Sequence, residues 1–315
     1  MVLGGIAIVT PLALPVPLHA LAATDGQIQG RVIDRTAPQH PVARQTVRLT
    51  IVERGASSDQ AAVSNDAGEF RFATLPVGGV RVFVLSADYR GVRYASERIL
   101  LASNAPSRTI DLSVYEPSAD HGGLHATVAL AVVDVARGAV RVSVVQGFVN
   151  RTDRTVVMTP DDPLVFPLPP GAEKVTTLAG WQDPHVAGGR ITDAFPLMPG
   201  NAQVAYTYGL ESRGADVMLP WTFPYGAENV EVLVADAGVG LIAKGLTTRE
   251  TVTGPRGRYM HWGGGPVAPG GQLVLRLRGI PPANDSWPGA VAAGLGVVLF
   301  GALVMVLRSR RVPVS

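Results

Sequence analysis

The chain has no cysteine among its 315 residues, which excludes disulfide frameworks, thiolate metal sites, thiol nucleophiles and covalent c-type haem attachment. Lysine is nearly as scarce, since all but Lys174 and Lys244 of the 27 basic residues are arginine. Charged residues make up only 17% and aromatics 6%. The Gly-x-Ser-x-Gly elbow, the phosphate-cradling Gly-x-x-x-x-Gly-Lys and the calcium loop of alternating Asp and Asn are all missing, which removes the motif-borne classes of acyl transfer, nucleotide binding and calcium sensing. No segment from Gly26 to Ile280 holds a helical period of useful length. What the chain does have is apolar residues at 47%, with 36 glycines and 25 prolines. Such a chain folds around a core and turns often.

The two ends differ from the middle. Residues 1–23 carry no charge and close on Ala20-Leu-Ala-Ala23, the pattern of a secretory signal peptide with a small-residue cleavage site. Pro11, Pro15 and Pro17 disfavour a spanning helix there, and the usual positive n-region is absent, so a start further upstream, an uncleaved anchor and a buried strand stay open. Near the other end, Gly289 to Leu307 is a run of 19 uncharged residues, about 28 Å as a helix and close to the hydrocarbon thickness of a bilayer. We expect a transmembrane helix over 287–307, with Trp287 at the interface and Arg308, Arg310 and Arg311 in a basic tail, 308–315. The positive-inside rule places that tail in the cytoplasm and the N-terminal domains outside.

The net charge of +2 then has a simple origin. All 25 acidic residues precede Trp287, as do 24 of the basic ones, so the part outside is near neutral. The mild basicity marks topology, and no nucleic-acid partner is expected.

The middle reads as all-β. Short alternating runs recur between turn residues, as in Ile110-Asp-Leu-Ser-Val114, where one face is apolar and the other polar. Gly30-Arg-Val-Ile-Asp34, Pro41-Val-Ala with Val47-Arg-Leu49, Ser64-Asn-Asp-Ala-Gly-Glu-Phe-Arg-Phe72 and Leu75-Pro-Val-Gly78 follow one another in an order that resembles the carboxypeptidase regulatory-like domain. That family has a transthyretin-like, carbohydrate-binding-like sandwich fold. The resemblance spans about residues 25–115, and it implies a non-catalytic module over 24–115. The His-x-x-Glu zinc pair of the catalytic domain that usually accompanies such modules is absent.

A polar linker, 116–123, leads to a second β-rich region, 124–285. Within it Gly-Ala-Glu-x-Val occurs at 171–175 and again at 226–230, each followed by a Pro-Gly turn and a strand. Two related modules, 124–212 and 213–282, and one larger sandwich are both compatible with that echo. The fold expected is therefore tandem antiparallel β-sandwich modules with one C-terminal transmembrane helix.

Candidates for chemistry are few. His121 and His125, with Asp120 beside them, form a weak metal motif in what reads as a solvated linker. Trp181, Tyr259, His261 and Trp262 are speculative ligand-binding residues, because sugar rings stack on exposed aromatic faces; the plainer reading is that they close sandwich cores. Gly263-Gly-Gly-Pro266 reads as a hairpin loop. Neither an enzyme nor a bound cofactor is expected. The arginine bias suits a GC-rich bacterial genome, and the combination points to a single-pass protein of the bacterial cytoplasmic membrane. Its β modules would face the periplasm and bind another envelope protein or a glycan; carbohydrate binding and a metal-dependent hydrolase are the alternatives.

Overall fold

A computed structural model describes residues 25–122, 124–212, 214–254 and 257–283. The segments read as signal peptide, transmembrane helix and basic tail, with Trp287, Arg308, Arg310 and Arg311, lie outside these residues. Every element described is a β-strand. Among the described residues no helix is long and apolar enough to cross a membrane.

The described residues divide into two compact units: one within 25–33, 41–87 and 94–112, the other within 34–40, 88–93 and 113–283. The strands of the first block are β1 (Gly26–Asp34), β2 (His40–Pro41), β3 (Thr46–Glu53), β4 (Ala56–Val63), β5 (Glu69–Leu75), β6 (Arg81–Tyr89), β7 (Val92–Ala95), β8 (Ser107–Thr109) and β9 (Leu112–Val114). They form a sheet in which β2, β5, β8 and β9 all pair with β1, and a second sheet in the order β4-β3-β6-β7. Burial alternates along β1 and β3, as a strand with one face on a core requires. Gly30 lies where β1 runs against the backbone of Ile110, whose N–H donates to Gln29 O at 2.8 Å.

Three short stretches of 24–115 fall in the second unit, one of them 113–115 at its end. Asp34–His40 and Asp88–Arg93 belong with the second unit, held by a polar network within it. Tyr89 donates to the buried Asp34 at 2.8 Å, and the other oxygen of that carboxylate accepts the Thr36 N–H at 2.8 Å. Thr36 Oγ1 accepts the Glu116 N–H, while the Glu116 carboxylate takes Arg90 at 2.9 Å and Arg154 at 2.7 Å. Burial, and then the neighbouring Asp34, push the Tyr89 phenol up.

The remaining strands are β10 (Pro117–Ser118), β11 (Leu124–Ala136), β12 (Ala139–Asn150), β13 (Thr155–Val156), β14 (Leu164–Pro167), β15 (Glu173–Ala179), β16 (His185–Ala187), β17 (Arg190–Asp193), β18 (Gly200–Glu211), β19 (Asp216–Phe223), β20 (Asn229–Ala235), β21 (Gly240–Ile242), β22 (Leu246–Gly254), β23 (Gly257–Gly264) and β24 (Gly271–Arg278). One seven-stranded sheet has the order β15-β18-β12-β11-β20-β23-β22, and two three-stranded sheets, β14-β17-β16 and β19-β24-β21, contribute to the same unit.

Residues 124–212 and 213–282 share the seven-stranded sheet, and one core joins Val142, Phe148 and Tyr206 to Leu219, Val232 and Leu277. The repeated turn-and-strand pattern marks shared turn chemistry within that core. Gly171 and Gly226 both have left-handed φ, 79° and 68°, just ahead of β15 and β20, where a side chain would be strained. Beside the expected antiparallel pairs, β11 runs parallel to β20, β1 to β8 and β10 to β13. A parallel pair needs a long crossover, and the chain from β12 to β19 supplies one between β11 and β20.

Two measurements check this packing. A Cβ on Gly30 would collide with the Ile110 carbonyl, so Gly30→Ala should destabilise the protein by about 1–3 kcal/mol in denaturant titration, the usual cost of overpacking. Burial pushes the phenols of Tyr206 and Tyr208 well above the usual range. Their stabilisation is present below the unfolded value near about 10 and is lost as pH rises above it. In an ultraviolet titration these two of the seven tyrosines should ionise only together with alkaline unfolding.

Candidate functional site

Alternation along β23 sends its side chains to opposite faces of the seven-stranded sheet. Met260 and Trp262 point into the main core, where Trp262 is buried. Tyr259 and His261 point to the other face, which has its own apolar centre of Leu130, Val132, Val145, Ala205, Leu233 and Tyr259. The four speculative ligand residues are therefore not one site. Trp181 is also committed to packing: its Nε1 donates to Ala205 O at 2.7 Å, and its ring meets Phe166 edge-on at 5.1 Å. Trp262 is buried in the main core, and Trp181 packs half-buried against it.

What the second face does assemble is a polar group that the sequence reading missed. Glu231 on β20 is 2% exposed, and its Oε2 lies 2.8 Å from His261 Nε2. His261 is opposite Leu233 on one side and Arg249 of β22 on the other. Gly263, opposite Glu231, leaves the space into which both the Glu231 carboxylate and the Arg249 guanidinium reach; a Cβ there would lie 2.5 Å from Glu231 Oε2 and 3.0 Å from an Arg249 nitrogen. Gly263 and Gly264 thus belong to β23 and not to a hairpin loop, because the strand needs residues without side chains beside that pair and beside Gly245. A few steps away Tyr259 donates to Asp134 at 3.0 Å.

A buried carboxylate against an imidazole fixes the orientation of the ring and gives the carboxylate a polar partner. The signal for Glu231 was present in Asn229-Val-Glu-Val-Leu-Val234, a charge inside an otherwise apolar run. Its partner thirty residues away could not be read from spacing.

The weak metal motif does not converge. His125 is exposed on β11, and His121 faces Asp162 at 3.7 Å. Asp120 accepts the Gly122 N–H in a local turn. Among the described residues no group of three or more His, Asp or Glu could hold a metal ion.

The first unit carries a groove of about 640 Å³ lined by Gln29, Arg31, Asn65, Glu69, Arg71 and Asp111 with Ala62 and Val63 of β4. Arg31 meets Glu69 at 2.9 Å, the Arg31 backbone N–H donates to Asp111 at 3.0 Å, and Arg71 donates to Gln27 at 2.7 Å. The Asn65 side-chain hydrogen bond, and then Arg31, hold the Glu69 carboxyl below its ordinary value.

No family model matches the chain, and no curated protein matches it. Among solved structures, an M1 zinc metallopeptidase from Deinococcus radiodurans aligns with a TM-score of 0.34 at 12% identity, over 55% of this chain and 50% of that one. The chain thus spans about half the length of that protein, and a likeness of this size carries neither fold nor chemistry across.

The buried pair makes a stability prediction. His261→Ala should cost about 1–3 kcal/mol at neutral pH, because it removes a partner from a buried carboxylate. Adding Glu231→Gln should restore part of the loss, so a denaturant-melt double-mutant cycle should be clearly non-additive.

Proposed function

We propose that the chain is a non-enzymatic protein of the bacterial envelope, exported by residues 1–23, anchored through 287–307 and binding another envelope component through its β-sandwich modules. In this reading residues 24–115 are a carboxypeptidase regulatory-like domain, which supplies a binding surface and no catalytic group. The observation that supports binding is the edge strand β4.

This strand ends its sheet and pairs with β3 over eight consecutive residues without a bulge. All but Ala62 are exposed, and the sequence Ala-Ser-Ser-Asp-Gln-Ala-Ala-Val holds one charge. That charge, Asp59, is already held by Arg48 at 3.0 Å and Thr50 at 2.7 Å on β3. Long edges normally carry devices that block further pairing, such as free charges, prolines or bulges. The edges of the seven-stranded sheet have them. β15 carries Glu173, Lys174 and two register shifts, and β22 carries Arg249, Glu250 and one. An unprotected edge suits addition of a partner's strand, in which main-chain hydrogen bonds supply affinity.

A photo-crosslinking residue at Ser57 in native membranes should therefore form an adduct with a discrete envelope protein. Ala61→Lys should abolish the adduct without changing the melting temperature. Recovery of the chain alone and monomeric, with no adduct, argues against the proposal.

The groove beside β4 favours a second reading, glycan binding by the first unit, since planar polar side chains match sugar hydroxyls. A glycan array with Arg31→Ala as the comparison tests it, and an array in which no sugar binds ends it.

A further inference from the structure

We infer that the end of the second unit from which the chain leaves residue 283 lies against the membrane, with Met218, Ile242 and Arg276 as a lipid-contact row. The inference rests on the reading of 287–307 as the anchor.

The exit is pinned. The N–H groups of Gly279 and Ile280 donate to Ala215 O at 2.8 and 2.9 Å, and Pro281 O accepts the Gly138 N–H at 2.7 Å. Ile280 is buried in the main core, and Ala283 fills the space beside Gly138. Residue 283 is thereby fixed at the tip of the β11–β12 hairpin. The apolar run begins at Gly289, six residues on, which even a fully extended chain spans in about 20 Å. A folded unit held so close to its anchor keeps this end within reach of the headgroups.

The surface near that end is suited to the location. Met218 and Ile242 are 64% and 51% exposed. Both lie opposite Arg276, so the three form one row across β19, β24 and β21, on the face turned away from Leu219, Leu275 and Leu277 of the core. The next row toward the exit is Asp216, Arg278 and Gly240, where one carboxylate serves two guanidiniums, Arg276 at 2.7 Å and Arg278 at 3.8 Å. Single exposed apolar residues are ordinary on a protein surface. Long apolar side chains interleaved with excess arginine beside a membrane exit match the boundary between acyl chains and anionic headgroups.

Because the chain lacks cysteine, single-cysteine variants of the full protein can be labelled cleanly. Met218→Cys and Ile242→Cys place probes in the row. Asn201→Cys, exposed on β18, lies ten residues from Glu211 at the exit end, about 33 Å along the strand. In phosphatidylethanolamine–phosphatidylglycerol vesicles containing a headgroup-quencher lipid, fluorophores at 218 and 242 should lose most of their emission while that at 201 keeps it. Equal quenching at all three sites, in protein that resists alkaline carbonate extraction, overturns the inference and leaves the anchor standing. Release by carbonate overturns the anchor reading and the inference with it. Excimer emission from pyrene at 218 would put a second copy of the chain on this face and would also overturn the inference.

Discussion

The second unit depends on a sheet whose central strands are sealed on both faces. β11 and β12 pair over twelve positions, and the run Val128–Val133 is buried without a break. Strands buried on both sides must be apolar at nearly every position, and each polar group among them needs a partner from the sheet itself. The second face meets that demand in pairs. Thr207 Oγ1 donates to Val142 O at 3.0 Å, Tyr259 reaches Asp134, and Glu231 holds His261. Glu231 is tolerated in an apolar strand because the His261 imidazole 2.8 Å away answers its charge and the missing side chain of Gly263 leaves it room.

That constraint also separates what could be read in the sequence from what could not. The β-strand class, the turns at Asn65-Asp-Ala-Gly68 and the alternation of β1, β3 and β9 were legible, because each is written in residues close along the chain. Gly30 was legible as part of a motif but not as the point where β1 touches Ile110, which is a contact across eighty residues. The seven-stranded sheet was not legible: its parallel β11–β20 pair joins residues about a hundred positions apart, and a run buried on both faces loses the period-two signature that would identify its partners. Trp181 and Trp262 drew notice as large aromatics in glycine-rich surroundings. Sequence alone does not distinguish a ring that closes a core from one that offers its face to a ligand; in the structure Trp262 is buried in the core and Trp181 packs half-buried against it.

Function is then more economically sought at the boundaries of the sheets than in their interiors. The interior takes in Trp262 and the packed side of Trp181, and its buried Glu231 is engaged by His261. Two such boundaries are β4 in the first unit, whose long edge lacks a protecting device, and the Met218 row in the second, where apolar side chains meet water beside arginine. They call for different partners. A bare backbone edge recognises another strand through its N–H and C=O groups and is nearly indifferent to charge. A row of long apolar side chains with surplus guanidinium offers no backbone at all, and gains most from a surface that is apolar below and anionic above. The near balance of charge before Trp287 suits both, because a strong field of either sign would impose its own choice of partner before either surface could act.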